Sequence, residues 1–121
     1  MAKLTHFEEL EAWKACREVI RWVRKITRQN FPKDYDLKDN MSRAARSTTR
    51  NLAEGFGRHH HGENIQYARI SRGSLYEVWD DAISAKEDGY LTAEEFSEGV
   101  KKIETAITIV NGYIRYLNSL L

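Results

Sequence analysis

Apolar residues recur at three- and four-residue steps through most of the chain, the spacing that collects side chains on one face of an α-helix. From about Thr5 to Gln29, Phe7, Leu10, Trp13, Cys16, Val19, Ile20, Val23 and Ile26 form a broad band, widened by Ala12, Ala15 and Trp22. Thr5 with Glu8 reads as a capping box at its start. Phe31-Pro32 ends it, because proline disfavours helical geometry in the residue before it. A polar connection, Lys33-Asp34-Tyr35-Asp36, offers Asp34 or Asp36 as the next cap. The second helix buries a stripe of Leu37, Met41, Ala44, Ala45, Thr48, Leu52 and Phe56. Gly55 and Gly57 read as its stop, since glycine takes the left-handed conformation of a C-terminal cap.

Gly57-Arg58-His59-His60-His61-Gly62 forms the next connection, polar and flanked by glycines. The third helix is expected from about Glu63 to Asp88, with Ile65, Ala68, Leu75, Val78, Trp79, Ala82 and Ile83 buried and Gly89 as its stop. Gly73 inside it points to a close-packed neighbour. The fourth helix opens on a capping box of Thr92 and Glu95, with Leu91 stapled to Phe96. Phe96, Val100, Ile103, Ile107, Val110, Ile114, Leu117 and Leu121 then continue at alternating four- and three-residue steps, an a/d seam. No strand pattern or repeat breaks the series. Four long helices with short connections predict an all-α, antiparallel up-down-up-down four-helix bundle, one domain over residues 1–121.

Composition adds the setting. With 41% hydrophobic and 31% charged residues, the chain has the balance of a soluble globular protein. No apolar run reaches the roughly 20 residues of a membrane span, and the N-terminus is acidic too early for a signal peptide. A single cysteine, Cys16, makes no internal disulfide and fits a reducing compartment, so the expected location is the cytoplasm.

The formal net charge of +1 conceals a split. Residues 43 to 72 carry six arginines against two glutamates, whereas residues 73 to 121 carry four cations against nine acids. Such a split suits a polyanion-binding surface, or a basic patch that meets an acidic patch on a neighbouring subunit. Arg43, Arg46 and Arg50 fall on the helix face opposite the apolar stripe, and Arg58 and Arg69 extend the patch. Together they are candidates for phosphate contact; the plainer reading is a solvated face with an Arg50–Glu54 pair. Arg46 and Arg50 are like charges four residues apart, an arrangement that weakens an isolated helix. Arg72 lies close to the apolar side of the third helix, so a structural ion pair with Glu54 or Glu77 is expected.

Other chemistries lack their residues. His59-His60-His61 has no cysteine or carboxylate at a usual zinc spacing, so no metal is assigned. The segment around Gly89 superficially matches a calcium loop, but Lys86 would occupy a ligand position. Gly55-Phe56-Gly57 lacks the third glycine of a dinucleotide fingerprint and follows no strand. There is no nucleophile elbow, HExxH or P-loop. Cys16 reads as a core residue. The chain is read as a non-enzyme without catalytic residues or cofactor.

Several blocks resemble the bacterial four helix bundle protein family: Phe7-Glu8-Glu9-Leu10-Glu11-Ala12-Trp13-Lys14, Phe31-Pro32, Arg43-Ala44-Ala45, Asn51-Leu52-Ala53-Glu54-Gly55-Phe56-Gly57-Arg58, Arg72-Gly73-Ser74-Leu75-Tyr76-Glu77 and Gly89-Tyr90-Leu91. Where the family usually carries a serine followed by apolar residues, Ser47-Thr48-Thr49-Arg50 is more polar and adds a charge. Members were first noted as open reading frames inside intervening sequences of 23S ribosomal RNA genes. A related branch comprises the accessory variability proteins of diversity-generating retroelements. The resemblance implies assembly into a homopentameric barrel, binding of RNA or DNA through the phosphate backbone, and, in the retroelement branch, a reverse transcriptase partner. The alternative it leaves open is a homo-oligomeric protein-interaction module with no nucleic-acid role.

Overall fold

The firmest local signal in the chain is the start of its last helix. There the Thr92 hydroxyl accepts from the Glu95 amide at 3.0 Å, and the Glu95 carboxylate accepts from the Thr92 amide at 2.9 Å. This box satisfies two of the backbone donors that every helix start leaves open. The computed structural model describes residues 4–31 and 33–121, and among these the regular elements are all helical. They are α1 (Glu11–Asn30), α2 (Tyr35–Gly57), α3 (His61–Glu87) and α4 (Ala93–Ser119). Each packs against two neighbours, in the cyclic order α1–α2–α3–α4.

Short connections between successive helices that pack together make the neighbours antiparallel, and the α2–α3 contacts run in opposite senses as this requires. Ser74 bonds Ser47 at 2.9 Å and the Ser71 hydroxyl donates to the Thr48 carbonyl at 2.9 Å, joining α3 to α2. Asn64 donates to the Tyr113 hydroxyl at 2.9 Å, joining α3 to α4. The result is the four-helix bundle that the periodicity predicts. Cys16, Ile20, Ile26, Met41, Leu52, Leu75, Ile103 and Val110 are among the fully enclosed side chains of its single core cluster. Thr48 belongs to that core as the stripe required; its hydroxyl is satisfied by the Ala45 carbonyl at 2.7 Å.

Several local expectations are corrected. Helix one begins at Glu11 rather than Thr5, behind a short 3-10 turn over Phe7–Glu9. Leu10 takes an extended conformation, φ −67° and ψ 129°, which breaks the helix and turns its side chain into the core. Glu9 rather than Glu8 therefore closes the turn, accepting from the Thr5 and His6 amides at 3.1 and 2.8 Å. Phe7 is left partly exposed, edge-on to Trp13 at 5.7 Å. Asp34, of the two candidate caps, accepts from the Leu37 amide. The stop expected from Pro32 lies outside the described residues.

Gly55 and Gly57 do not supply the left-handed residue that ends α2; His59 does, at φ 51°. Gly55 is instead buried under α3, where a Cβ would stand 2.7 Å from the Asn64 side-chain oxygen and 2.8 Å from the Tyr67 Cβ. Gly89, at φ 80°, is the left-handed stop of α3, as expected. Gly73 is exposed and nothing lies within 4 Å of where its Cβ would be, so the expected close neighbour is missing within the protomer. Ile83 and Leu121 are exposed rather than buried, because each sits at the outer edge of its helix or past its end.

Trp22 packs tightly against α4. Its ring lies on Gly99 of α4, where a Cβ would stand 2.1 Å from a ring carbon, and its indole N–H donates to the Glu95 carbonyl at 3.2 Å. Only glycine at 99 leaves room for the indole.

Candidate nucleic-acid interface

The buried stripe of α2 fixes where its arginines point. With Met41, Ala45, Thr48 and Leu52 in the core, Arg43, Arg46 and Arg50 are held on the exposed side. The Arg43 guanidinium donates to the Asn40 side-chain oxygen at 2.8 Å. Arg46 and Arg50 carry no side-chain partner among the described residues. Arg69 of α3 is exposed in the same state. The α2–α3 contacts, Thr48 to Ser71 and Gly55 to Asn64, place Arg69 level with Arg50 across the helix pair.

Arg58 is held differently. Its guanidinium reaches Glu54 at 3.1 Å and the Tyr67 hydroxyl at 2.7 Å, and lies 5.3 Å from the centre of the Tyr67 ring. The Tyr67 hydroxyl and the Arg58 guanidinium together hold the Glu54 carboxyl below the usual carboxylate range. Glu54 in turn raises Arg58 above its ordinary value. This exposed cluster ties the end of α2 to α3. It also removes the expected Arg50–Glu54 pair, since Glu54 turns to Arg58 one helical turn onward.

The structural ion pair expected of Arg72 is likewise replaced. Arg72 is half-buried and donates to the Asn111 side-chain oxygen of α4 at 2.8 Å, because its position on α3 faces α4 rather than α2. Glu54 is on the far side of the pair, and Glu77 is exposed beside α2. Glu77, Asp80 and Asp81 line one side of an open groove of about 650 Å³ between α2 and α3, with Arg43 opposite and Gly73 within it. Burial, followed by the neighbouring Asp80 and Glu77 charges, raises the Asp81 carboxyl above its ordinary range.

The histidine run serves the backbone. His60 Nδ1 accepts from the Glu63 amide at 3.1 Å and caps α3, while His59 makes the left-handed turn. No group of three His, Cys, Asp or Glu is placed to hold a metal ion among the described residues. Cys16 is enclosed next to Thr48 and Ser71, and burial pushes its thiol up to about 11. It stays protonated at neutral pH, which removes its nucleophilic form. No described helix is long and apolar enough to cross a membrane.

One basic feature was missed in the sequence. The outer face of α1 exposes Lys14, Arg21, Arg24, Lys25 and Arg28, with Arg17 half-exposed among them. Their spacing was available as a signal, but the apolar band on the same helix is the louder pattern.

The comparisons bear on most of the chain. No curated protein matches it. The family model of the 23S rRNA-intervening sequence protein matches residues 8–112, from the opening turn well into α4. The resemblance first read from short blocks therefore extends over all four helices, and the chain belongs to the 23S rRNA-intervening sequence protein family.

Proposed function

We propose that the protein is a non-enzymatic, homo-oligomeric scaffold that binds nucleic acid through its phosphate backbone. Arg43, Arg46, Arg50 and Arg69 are the contacting residues, with Arg58 at the edge as a fixed charge held by Glu54. The observation that carries the reading is the pair Arg46 and Arg50: like charges one turn apart, exposed, and without a side-chain partner among the described residues. Such an arrangement costs helix stability in isolation, and a polyanion is what would offset it. Base reading is not part of the proposal, since phosphate contacts orient a partner without reading sequence. By likeness to the family, the assembled form is a pentameric ring in the cytoplasm. In a retroelement setting the same scaffold docks a reverse transcriptase.

The test compares the wild type with Arg43→Glu/Arg46→Glu/Arg50→Glu by fluorescence anisotropy on labelled RNA and DNA, with the mass of each followed by light scattering. Loss of binding in a folded variant of unchanged mass supports the reading. A second reading, a protein-interaction module, is favoured by the acidic wall of Glu77, Asp80 and Asp81 opposite Arg43. It predicts that the variant falls to a smaller mass while nucleic acid has no effect on either form.

A further inference from the structure

The outer face of α1 carries Lys14, Arg17, Arg21, Arg24 and Arg28 at steps of three, four, three and four residues, so all five fall in one row. At 1.5 Å per residue that row is about 21 Å long. Its one interposed acid, Glu18, is already taken by Arg21 at 2.9 Å.

Two contacts fix how α1 is turned. Trp22 sits on Gly99, and Lys25 reaches Glu98 at 3.5 Å, so this side of α1 meets α4. Arg17, Arg24 and Arg28 lie roughly 120–160° around the axis from Trp22, and so lean toward α2. The same argument turns α2. Ser47 and Gly55 meet α3, which leaves Arg46 on the side facing α1. The two helices are joined by only four residues, Phe31 to Asp34. Their antiparallel register therefore sets Arg17 level with the interval between Arg46 and Arg50. Arg24 falls between Lys38 and Arg43.

Two rows thus merge into one wall. Residues 11 to 57 hold eleven Lys and Arg against six Asp and Glu, a net of +5. Residues 61 to 119 hold six against ten, a net of −4. The bundle is basic on its α1–α2 side and acidic on its α3–α4 side.

We infer that the α1–α2 wall is a track for double-stranded nucleic acid, with Lys14, Arg17, Arg21, Arg24 and Arg28 contacting phosphates together with Lys38, Arg46 and Arg50, and with Arg43 at the wall's edge where it borders the α2–α3 groove. This rests on the nucleic-acid reading above and extends it to a surface and a substrate class. Three features choose the class. Seven of the nine cations are arginine, whose planar fork matches phosphate oxygens. Residues 11 to 30 expose no large apolar side chain and α2 exposes only Tyr35 at its start, so the wall has no apolar face to insert into a lipid surface. Tyr35 alone makes no row of exposed aromatics on which successive unpaired bases stack. A duplex carries about one charge per 1.7 Å of axis, so 21 Å of it presents about twelve phosphates, more than the nine cations can neutralise.

The test is anisotropy on an RNA duplex and on one of its strands alone, over a salt series, with circular dichroism on every variant. The set is wild type, Arg17→Gln/Arg24→Gln/Arg28→Gln on α1, Arg46→Gln/Arg50→Gln on α2, and Lys101→Gln/Arg115→Gln on α4 as control. We expect duplex preferred over strand. The α1 variant should lose at least tenfold in affinity and flatten the log–log salt slope by roughly 2 to 3 for its three lost contacts. The α4 control should bind as wild type does. If the α1 variant binds normally while the α2 variant is impaired, the track is overturned and the nucleic-acid reading stands. Equal binding of strand and duplex overturns the substrate class. If wild type binds neither while salt reduces its mass, the reading itself falls and the wall belongs to an acidic neighbour.

Discussion

At the scale of single residues, the glycines divide by what surrounds them. Gly99 is fixed by the Trp22 ring, Gly55 by Asn64 and Tyr67, Gly89 by its positive φ, while Gly73 has no neighbour to explain it. Gly99→Ala should destabilise by about 1–3 kcal/mol through overpacking. Gly73→Ala should do the reverse by about 1 kcal/mol, because alanine is the better helix former where nothing is in the way. Urea melts of both variants check this, and a destabilised Gly73→Ala oligomer would place a neighbouring copy in the α2–α3 groove. Neither assignment was legible beforehand: a glycine in a sequence gives no sign of whether an indole or open water lies above it. Cys16 carries a pH prediction. Its native thiol is raised to about 11 from 9.0, so the unfolded chain releases that proton first. Its contribution is intact below 9 and declines as pH rises toward 11. Melts at stepped alkaline pH should show a shallower decline in Cys16→Ala than in wild type.

At the scale of helices, the legible parts were those with a local physical cause. The Thr92–Glu95 box and the Gly89 stop appear where their residues demanded, because a cap is decided within four or five residues. Thr92→Ala should therefore cost about 1 kcal/mol, read as a lower melting midpoint with unchanged denaturant slope. The start of α1 was misread because its box pattern is ambiguous: Glu8 and Glu9 both follow Thr5 closely, and burial of Leu10 decided between them. The stop of α2 was misread for a related reason. Gly55 has the conformation-free look of a cap, yet helix–helix contact had a stronger use for it.

At the scale of the molecule, four amphipathic stripes of this length leave little choice but a bundle, so the fold was legible from periodicity alone. The candidate interface was half legible. The α2 arginines were visible as a row, but their union with the α1 row depends on how two helices are turned about their axes. That rotation follows from Trp22 on Gly99 and Ser47 on Ser74, contacts between residues far apart in sequence. The helix pairing sets the basic α1–α2 segment beside the acidic α3–α4 segment, which is why a net charge of +1 says little about its partners. The central claim is that the basic side binds a polyphosphate. The most direct measurement is the wild-type affinity for a labelled RNA duplex across a salt series. We predict a linear fall of log affinity against log salt, with a slope of roughly −3 or steeper for four phosphates. No binding at low salt, or an affinity indifferent to salt, would contradict it.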